Sequence, residues 1–385
     1  MPDEAATIDP LRRIERPAAP RERDEPKLPP SACWDRSPLP DGASFALCLT
    51  HDVDRPYKGL RSLFYAAQER PAYHLRTALS DENPYWQFEE IRDLEDDLDV
   101  RSAFYVLNEQ HLLAERPVRD WLSPTNWVQH LGRYDVRSPD VRDAIADLAA
   151  GGWEVGLHGS FHSADDRDRL AEEKAALEDV LAEASGGKRP NPGNRPGGEE
   201  RPTTGNRSNG EERPNDEGAA PTSVSGGRQH YLRCTIPETW RHHRAIGLDY
   251  DASLGSGTHV GFHSGYRPIR PFGDDFRVFP LTAMEQALPD PSVEPEAARL
   301  TCEELLLEAA ANEAVMTVLW HPRYFNEREF PGYRGLYRWL VERAQELGAW
   351  IGPPRALLEA LDETDGPHAP IEAGSTGPTD TSRRR

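Results

Sequence analysis

The chain has 385 residues, room for one large domain or two small ones. Only 37% of it is hydrophobic and 35 residues are proline, so part of it lies outside any packed core. A formal net charge of -21, spread along the chain rather than gathered in a tail, argues against nucleic acid or an anionic membrane as a partner.

Residues 1–40 mix prolines with alternating charges and are expected to be unfolded or loosely draped over the surface. The apolar run Phe45-Ala46-Leu47-Cys48-Leu49 then reads as a buried strand and delivers Thr50-His51-Asp52-Val53-Asp54 at its carboxyl end. Gly59–Leu79 has helical apolar spacing interrupted at Pro71, and Trp86–Leu98 carries Phe88, Ile91, Leu94 and Leu98 on one helical stripe. Ser102–Leu107 is a second strand. Pro139–Ala150 is a helix that starts on proline and stops at Gly151-Gly152, and Trp153–Leu157 is a third strand running into His158. A helix over Asp168–Ala184 follows. Strands are then expected at Gln229–Arg233, Leu248–Ala252, Val278–Leu281 and Val315–Trp320. Helices are expected at Pro237–Ile246, Cys302–Asn312 and Leu336–Leu347.

Strand and helix alternate through nearly all of this, which predicts an α/β fold with mostly parallel strands. In such folds sites gather at the carboxyl ends of strands. That rule selects Asp52 and Asp54, then His158, Arg233 and His321. One segment breaks the alternation. Residues 185–227 hold almost nothing apolar, and Gly193–Pro202 recurs nearly unchanged as Gly205–Pro214. Such a segment cannot bury enough surface to offset its ordering entropy, so it reads as a disordered insertion in a helix-to-strand loop, and 363–385 reads as a similar tail.

Four cysteines, Cys33, Cys48, Cys234 and Cys302, form no close pair and fit a reducing compartment. No apolar run is long enough to span a bilayer, and the charged N-terminal region has no signal-peptide core; the expectation is a soluble cytoplasmic protein without stable membrane insertion. Lysine is confined to Lys27, Lys58, Lys174 and Lys188, and with the dispersed acidity this points to a halophilic source.

The chemistry-bearing residues converge on one kind of site. Side chains alternate along a strand, so Asp52 and Asp54 lean the same way, and two adjacent carboxylates repel unless a cation or a proton lies between them. His158 and His162 stand four apart just past a strand, and a turn there aims both rings at one point. Two neutral histidines, one carboxylate and an open position for water make a catalytic metal site, in which the metal acidifies the water and polarises a carbonyl. The second carboxylate of the pair then serves as base, His321 as acid toward a leaving amine, and Arg233 orients the basic carboxylate. Trp320, Tyr231 and Tyr324 stand near these points, either as a sugar-stacking wall or as core. The neighbours His242 and His243 point too far apart to chelate one ion, and His51 is expected to pack behind the site.

In this order the pieces resemble the polysaccharide deacetylase family, the NodB-like or family-four carbohydrate esterases. Leu-Thr-His-Asp-Val-Asp (49–54) resembles the family's first motif, and Glu-Val-Gly-Leu-His-Gly-Ser-Phe-His (154–162) its second. Arg228-Gln-His-Tyr-Leu-Arg233 resembles the third, Asp249–Leu254 the region after it, and Leu319-Trp-His-Pro322 the last. The likeness covers residues 44–355 apart from the insertion and is closest to a subgroup with a His-Asp-Val-Asp first motif. It implies an irregular (β/α) barrel of about seven strands that removes an acetyl group from an N-acetylated sugar, glycolipid or oligosaccharide with the help of a divalent metal, zinc first. Carried over by position, Asp52 is the base, His158 and His162 are ligands, and His321 is the acid. The usual adjacent aspartates are here separated by Val53, so the carboxylate ligand is Asp54 or Asp52, and same-side geometry favours Asp54. The third-motif arginine is Arg228 or Arg233, and the expected strand end favours Arg233.

Overall fold

The structure, a computed structural model, describes residues 28–59, 62, 71–79, 83–109, 111–123, 126–127, 130, 133–186 and 222–365. Much of the Gly59–Leu79 reading, most of the expected insertion and nearly all of the expected tail lie outside the described residues. Eleven strands form one sheet. In chain order they are β1 (Cys33–Trp34), β2 (Phe45–Val53), β3 (Ala103–Leu107), β4 (Glu154–Gly159), β5 (Gly226–Gln229) and β6 (Tyr250–Asp251). β7 (Ile269–Arg270), β8 (Arg277–Val278), β9 (Leu281–Met284), β10 (Val315–Leu319) and β11 (Ala349–Gly352) follow.

The sheet order is β1-β7-β8-β6-β5-β4-β3-β2-β10-β9, with β11 paired to β2. All pairings are parallel except β1 with β7 and β7 with β8. β8 and β9 lie at opposite ends of the parallel run, yet only Phe279 and Pro280 separate them in the chain. The sheet therefore has to curl until its ends meet, and β8 with β9 acts as one bent stave. This is the expected α/β architecture, a curled mixed sheet wrapped by helices.

Burial explains why the strands read as continuous apolar runs. Every residue of β2 is buried, as expected of a central parallel strand covered on both faces. Phe45, Leu47, Leu49 and Val53 face outward into the main core, where they meet Ile91 and Leu94 of the helix Phe88–Asp97 and Leu336, Leu340 and Val341 of the helix Tyr333–Glu346. Ala46 and Cys48 face the barrel interior, with Ala103, Tyr105, Tyr250, Ala252 and Phe279. The interior is narrow, so the tyrosine rings need glycine opposite them. A Cβ on Gly156 would lie 2.5 Å from the Tyr105 ring, and one on Gly226 would lie 2.0 Å from that of Tyr250.

Three expectations change. The strand placed at Gln229–Arg233 is β5, Gly226–Gln229, followed by a 3-10 turn over His230–Leu232; Gly226 and Gly227 look like loop residues but are the strand, held against Tyr250 and Leu157. Val278–Leu281 is two strands across the Pro280 bend. Residues 33–40 are not a loose extension. β1 adds an antiparallel edge to β7, and the fully buried Asp35 carboxylate accepts from Arg277 Nε at 2.6 Å and Arg270 Nε at 3.3 Å. Among the described residues no helix is long and apolar enough to cross a membrane.

The interior also stores a proton. Tyr105 and Tyr250 share a hydroxyl contact of 3.1 Å, and Tyr250 donates to Glu154 Oε1 at 2.6 Å. Burial raises the Glu154 carboxyl to about 7 against the lowering by Tyr250 and the Arg355 backbone N–H. A raised carboxyl means the folded chain holds a proton that the unfolded chain releases above its ordinary 4.5, so stability falls as pH rises from there to about 7. Glu154→Gln should remove that part of the slope. Its melting temperature, compared with the parent's, should gain on it from pH 5 to about 7 and level off above that, and a constant difference across pH 5–8 would refute the assignment.

Candidate metal centre

The carboxyl ends of six strands converge. β2 supplies Asp52 and, one residue on, Asp54; β3 leads to Glu109; β4 supplies His158; β5 leads to His230; β9 leads to Glu285; β10 leads to His321. Tyr134 locks two of these ends together, donating to Val53 O at 2.7 Å and accepting from Leu107 N at 2.9 Å.

Asp52 and Asp54 lie on the same side of the strand, as the alternation requires, and do different work. Asp52 is 4% exposed, and its Oδ1 accepts from Arg228 Nη1 at 2.8 Å. Arg228 is fully buried. It also donates to Thr50 Oγ1 at 2.9 Å and to Ala252 O at 2.8 Å, and its guanidinium lies 4.9 Å from the Tyr105 ring centre. Asp54 faces imidazoles. Its Oδ1 is 2.9 Å from His158 Nε2 and 3.8 Å from His230 Nε2, and its Oδ2 is 3.4 Å from His321 Nε2. Ligand atoms of Asp54, His158 and His230 lie within 4.8 Å of one another, and so do those of Asp52, Asp54 and His321.

The hydrogen bonds fix which nitrogen does what. His158 Nδ1 lies 2.9 Å from the Arg228 carbonyl, an acceptor only, so Nδ1 donates there and Nε2 is the nitrogen turned to Asp54. His321 Nδ1 donates to Glu285 Oε1 at 2.8 Å. Burial alone would lower the His321 pKa, but Glu285 and Asp54 outweigh it and bring it to about 10. Burial likewise works against ionised Asp54, yet His230, His321 and His158 hold it well below the usual carboxylate range. His158 is drawn toward protonation by Asp52 and Asp54 in spite of its burial. An ionised Asp54 among rings pulled toward protonation marks a pocket built for positive charge. The two buried ring nitrogens of His230, without a hydrogen-bond partner among the described residues, add to this. The residues fit a divalent metal with mixed nitrogen and oxygen ligands.

The structure brings Asp52, Asp54, His158 and His321 together, and it separates two residues expected beside them. His162 is not in the cluster. β4 stays extended through Gly159 and the chain bends only at Phe161 and His162, so no turn brings the second ring back to the first. His162 instead lies among Arg116, Glu109 and Arg233, where burial, followed by Arg116, lowers its pKa. Arg233 is not beside the carboxylates either. Its guanidinium bonds Phe161 O and Asp165, and Arg228 holds Asp52 instead, because β5 ends four residues earlier than expected.

His230, Glu109 and Glu285 escaped the sequence reading. The strand-end rule would have found His230 had the strand been placed at Gly226–Gln229. The other histidines are as expected or peripheral. His51 packs behind the site, with Nε2 3.0 Å from Glu95 and Nδ1 2.6 Å from Trp320 O. His243 pairs with Asp251 at 2.9 Å. Trp320 and Tyr324 are each 1% exposed and are core, not a wall.

No protein-family model matches the chain, and no curated protein sequence matches it. Solved structures do match in outline. One assigned as a polysaccharide deacetylase from Mycobacterium smegmatis is 15% identical, with a TM-score of 0.47 over 86% of this chain and 94% of that one. The Puue allantoinase is 14% identical, with a TM-score of 0.49 over 91% and 99%. A further structure assigned as a polysaccharide deacetylase, from Pseudomonas aeruginosa PAO1, is 12% identical, with a TM-score of 0.45 over 83% and 92%. Likeness at this level transfers no residue and no activity.

Proposed function

We propose that the chain is a metal-dependent hydrolase that cleaves the amide of an N-acetylated sugar or glycan precursor. The observation that carries this reading is Asp54 standing between two differently equipped sides. One side holds His158 and His230 as nitrogen ligands; the other holds His321, charged through Glu285, with Asp52 clamped by Arg228. Asp54, His158 and His230 would hold the metal. A divalent metal bound there supplies a Lewis acid for the amide carbonyl and acidifies a water. Asp52 takes that water's proton, with Arg228 fixing its carboxylate, and His321 gives its Nε2 proton to the leaving nitrogen. All the parts of such a hydrolase are present, which counts against an inactive glycan-binding relative.

One observation favours a second reading with the same site. Of the three aromatic side chains considered for sugar stacking, Trp320 and Tyr324 are buried and Tyr231 alone is half-buried, so a non-sugar amide is also a candidate on shape. The acid-rich, lysine-poor composition supports a halophilic source, so assays belong in concentrated as well as dilute salt. Purified full-length protein loaded with Zn²⁺ should release acetate from at least one member of a panel of acetylated sugar nucleotides, glycolipids, oligosaccharides and simple acetamides, and a chelator should stop it. Protein that retains no divalent metal at all would overturn the mechanism.

A further inference from the structure

Resting on the metal reading above, we infer that Glu109 is a positioning residue for His230, fixing the ring and the tautomer in which it presents Nε2 to the metal. His230 is 4% exposed and has a carboxylate on each side. Its Nε2 is 3.8 Å from Asp54 Oδ1 and its Nδ1 is 3.7 Å from Glu109 Oε2. Glu109 is itself 4% exposed, and among the described residues its Oε2 has no hydrogen-bond partner. A buried carboxylate oxygen without a donor is costly unless a group is meant to donate to it, and His230 Nδ1, 3.7 Å away, is placed to do so.

The backbone supports the same role. Tyr231 and Leu232, neither of them glycine, adopt positive φ of 59° and 53° directly after His230. Consecutive left-handed bulky residues are strained, and such strain persists where the surroundings over-determine it. Here it folds the Tyr231 ring back onto the imidazole, with centroids 4.1 Å apart and planes 26° apart. Glu109 then decides what stacking cannot, namely which nitrogen carries the proton. With Nδ1–H donated to Glu109, the Nε2 lone pair faces the cluster. With Glu109 gone, the proton is free to move to Nε2, where it blocks ligation.

The test uses the full chain with Glu109→Leu and Glu109→Gln. Zn²⁺ affinity, measured by chelator competition, should fall roughly 10–100-fold in Glu109→Leu, and less in Glu109→Gln, whose side-chain carbonyl still accepts from Nδ1–H. In metal-free protein, imidazole ¹⁵N spectra should show His230 protonated on Nδ1 in the parent and shifted toward Nε2 in Glu109→Leu. Unchanged Zn²⁺ affinity in folded Glu109→Leu, or an Nε2-protonated His230 in the parent, would overturn the assignment. If Glu109→Leu does not fold, the parent tautomer and the Glu109→Gln affinity decide alone. The tautomer needs no metal, so a failure of the metal reading and a failure of this assignment give different results.

Discussion

His158→Ala and His230→Ala should each cost the protein its divalent metal, while His162→Ala should leave it in place. Asp54→Ala belongs with the first two. His158 Nε2 and Asp54 Oδ1 are already 2.9 Å apart, and His230 closes the set within 4.8 Å, so removing any one leaves too few ligands for a tetrahedral ion. Outer-shell changes alone cost metal sites roughly 10–100-fold in affinity, so loss of a direct ligand should exceed 100-fold. Metal content after dialysis, followed by competition titration, reads this directly. The comparison of His162→Ala with His230→Ala is the sharpest part, because the four-residue spacing argues for one and the folded geometry for the other. Loss of metal in His162→Ala with retention in His230→Ala would reverse the ligand assignment.

Asp52→Asn should keep the metal and lose turnover by about 10²–10⁴-fold. The amide is isosteric, and its oxygen can still accept from Arg228 Nη1, now 2.8 Å from Asp52 Oδ1, but it cannot take a proton from water. Substitution also leaves the buried Arg228 without its counter-charge, and breaking a buried pair costs about 3–5 kcal/mol. Arg228 keeps its bonds to Thr50 and Ala252, which moderates that cost. Turnover is therefore to be measured well below the variant's own melting temperature, with metal content determined on the same sample. If Asp52→Asn loses the metal and Asp54→Asn keeps it, the two aspartates have been given each other's roles.

The parts of this site that were legible in the sequence share one property: they are written in strand periodicity. The run from Phe45 to Leu49 is apolar without interruption, so its end and the two same-side aspartates followed from pleat geometry. His158 lies near the end of β4 and His321 just past β10, both buried strands. What stayed hidden depends on contacts between distant segments. Gly226 and Gly227 carry no strand propensity of their own and are strand only because Tyr250 and Leu157 leave room for nothing larger. Misplacing that strand moved the arginine from Arg228 to Arg233 and concealed His230. The left-handed turn at Tyr231 and Leu232 has no local signal, since neither residue favours positive φ. Glu109 and Glu285 are invisible among 66 acidic residues until the fold sets each beside an imidazole. The same holds for Asp35, in a stretch whose composition reads as loose and whose carboxylate is fully buried between two arginines.

The pairing of β2 means that Asp52 and Asp54 are fixed in place only late in synthesis. On one side β2 is bonded to β10, from Ala46 to Thr50; on the other, its first half meets β11 and its second half β3. A single hydrogen bond from this strand, His51 to Trp320, spans 269 positions. A nascent chain that has already emerged with Asp52 and Asp54 therefore has to keep an apolar strand unpaired along one edge until β10 leaves the ribosome, and along half of the other until β11 does. Long-range closure of this kind slows folding and exposes a sticky edge meanwhile. The dense acidic charge on the rest of the chain would hold neighbouring nascent copies apart during that interval.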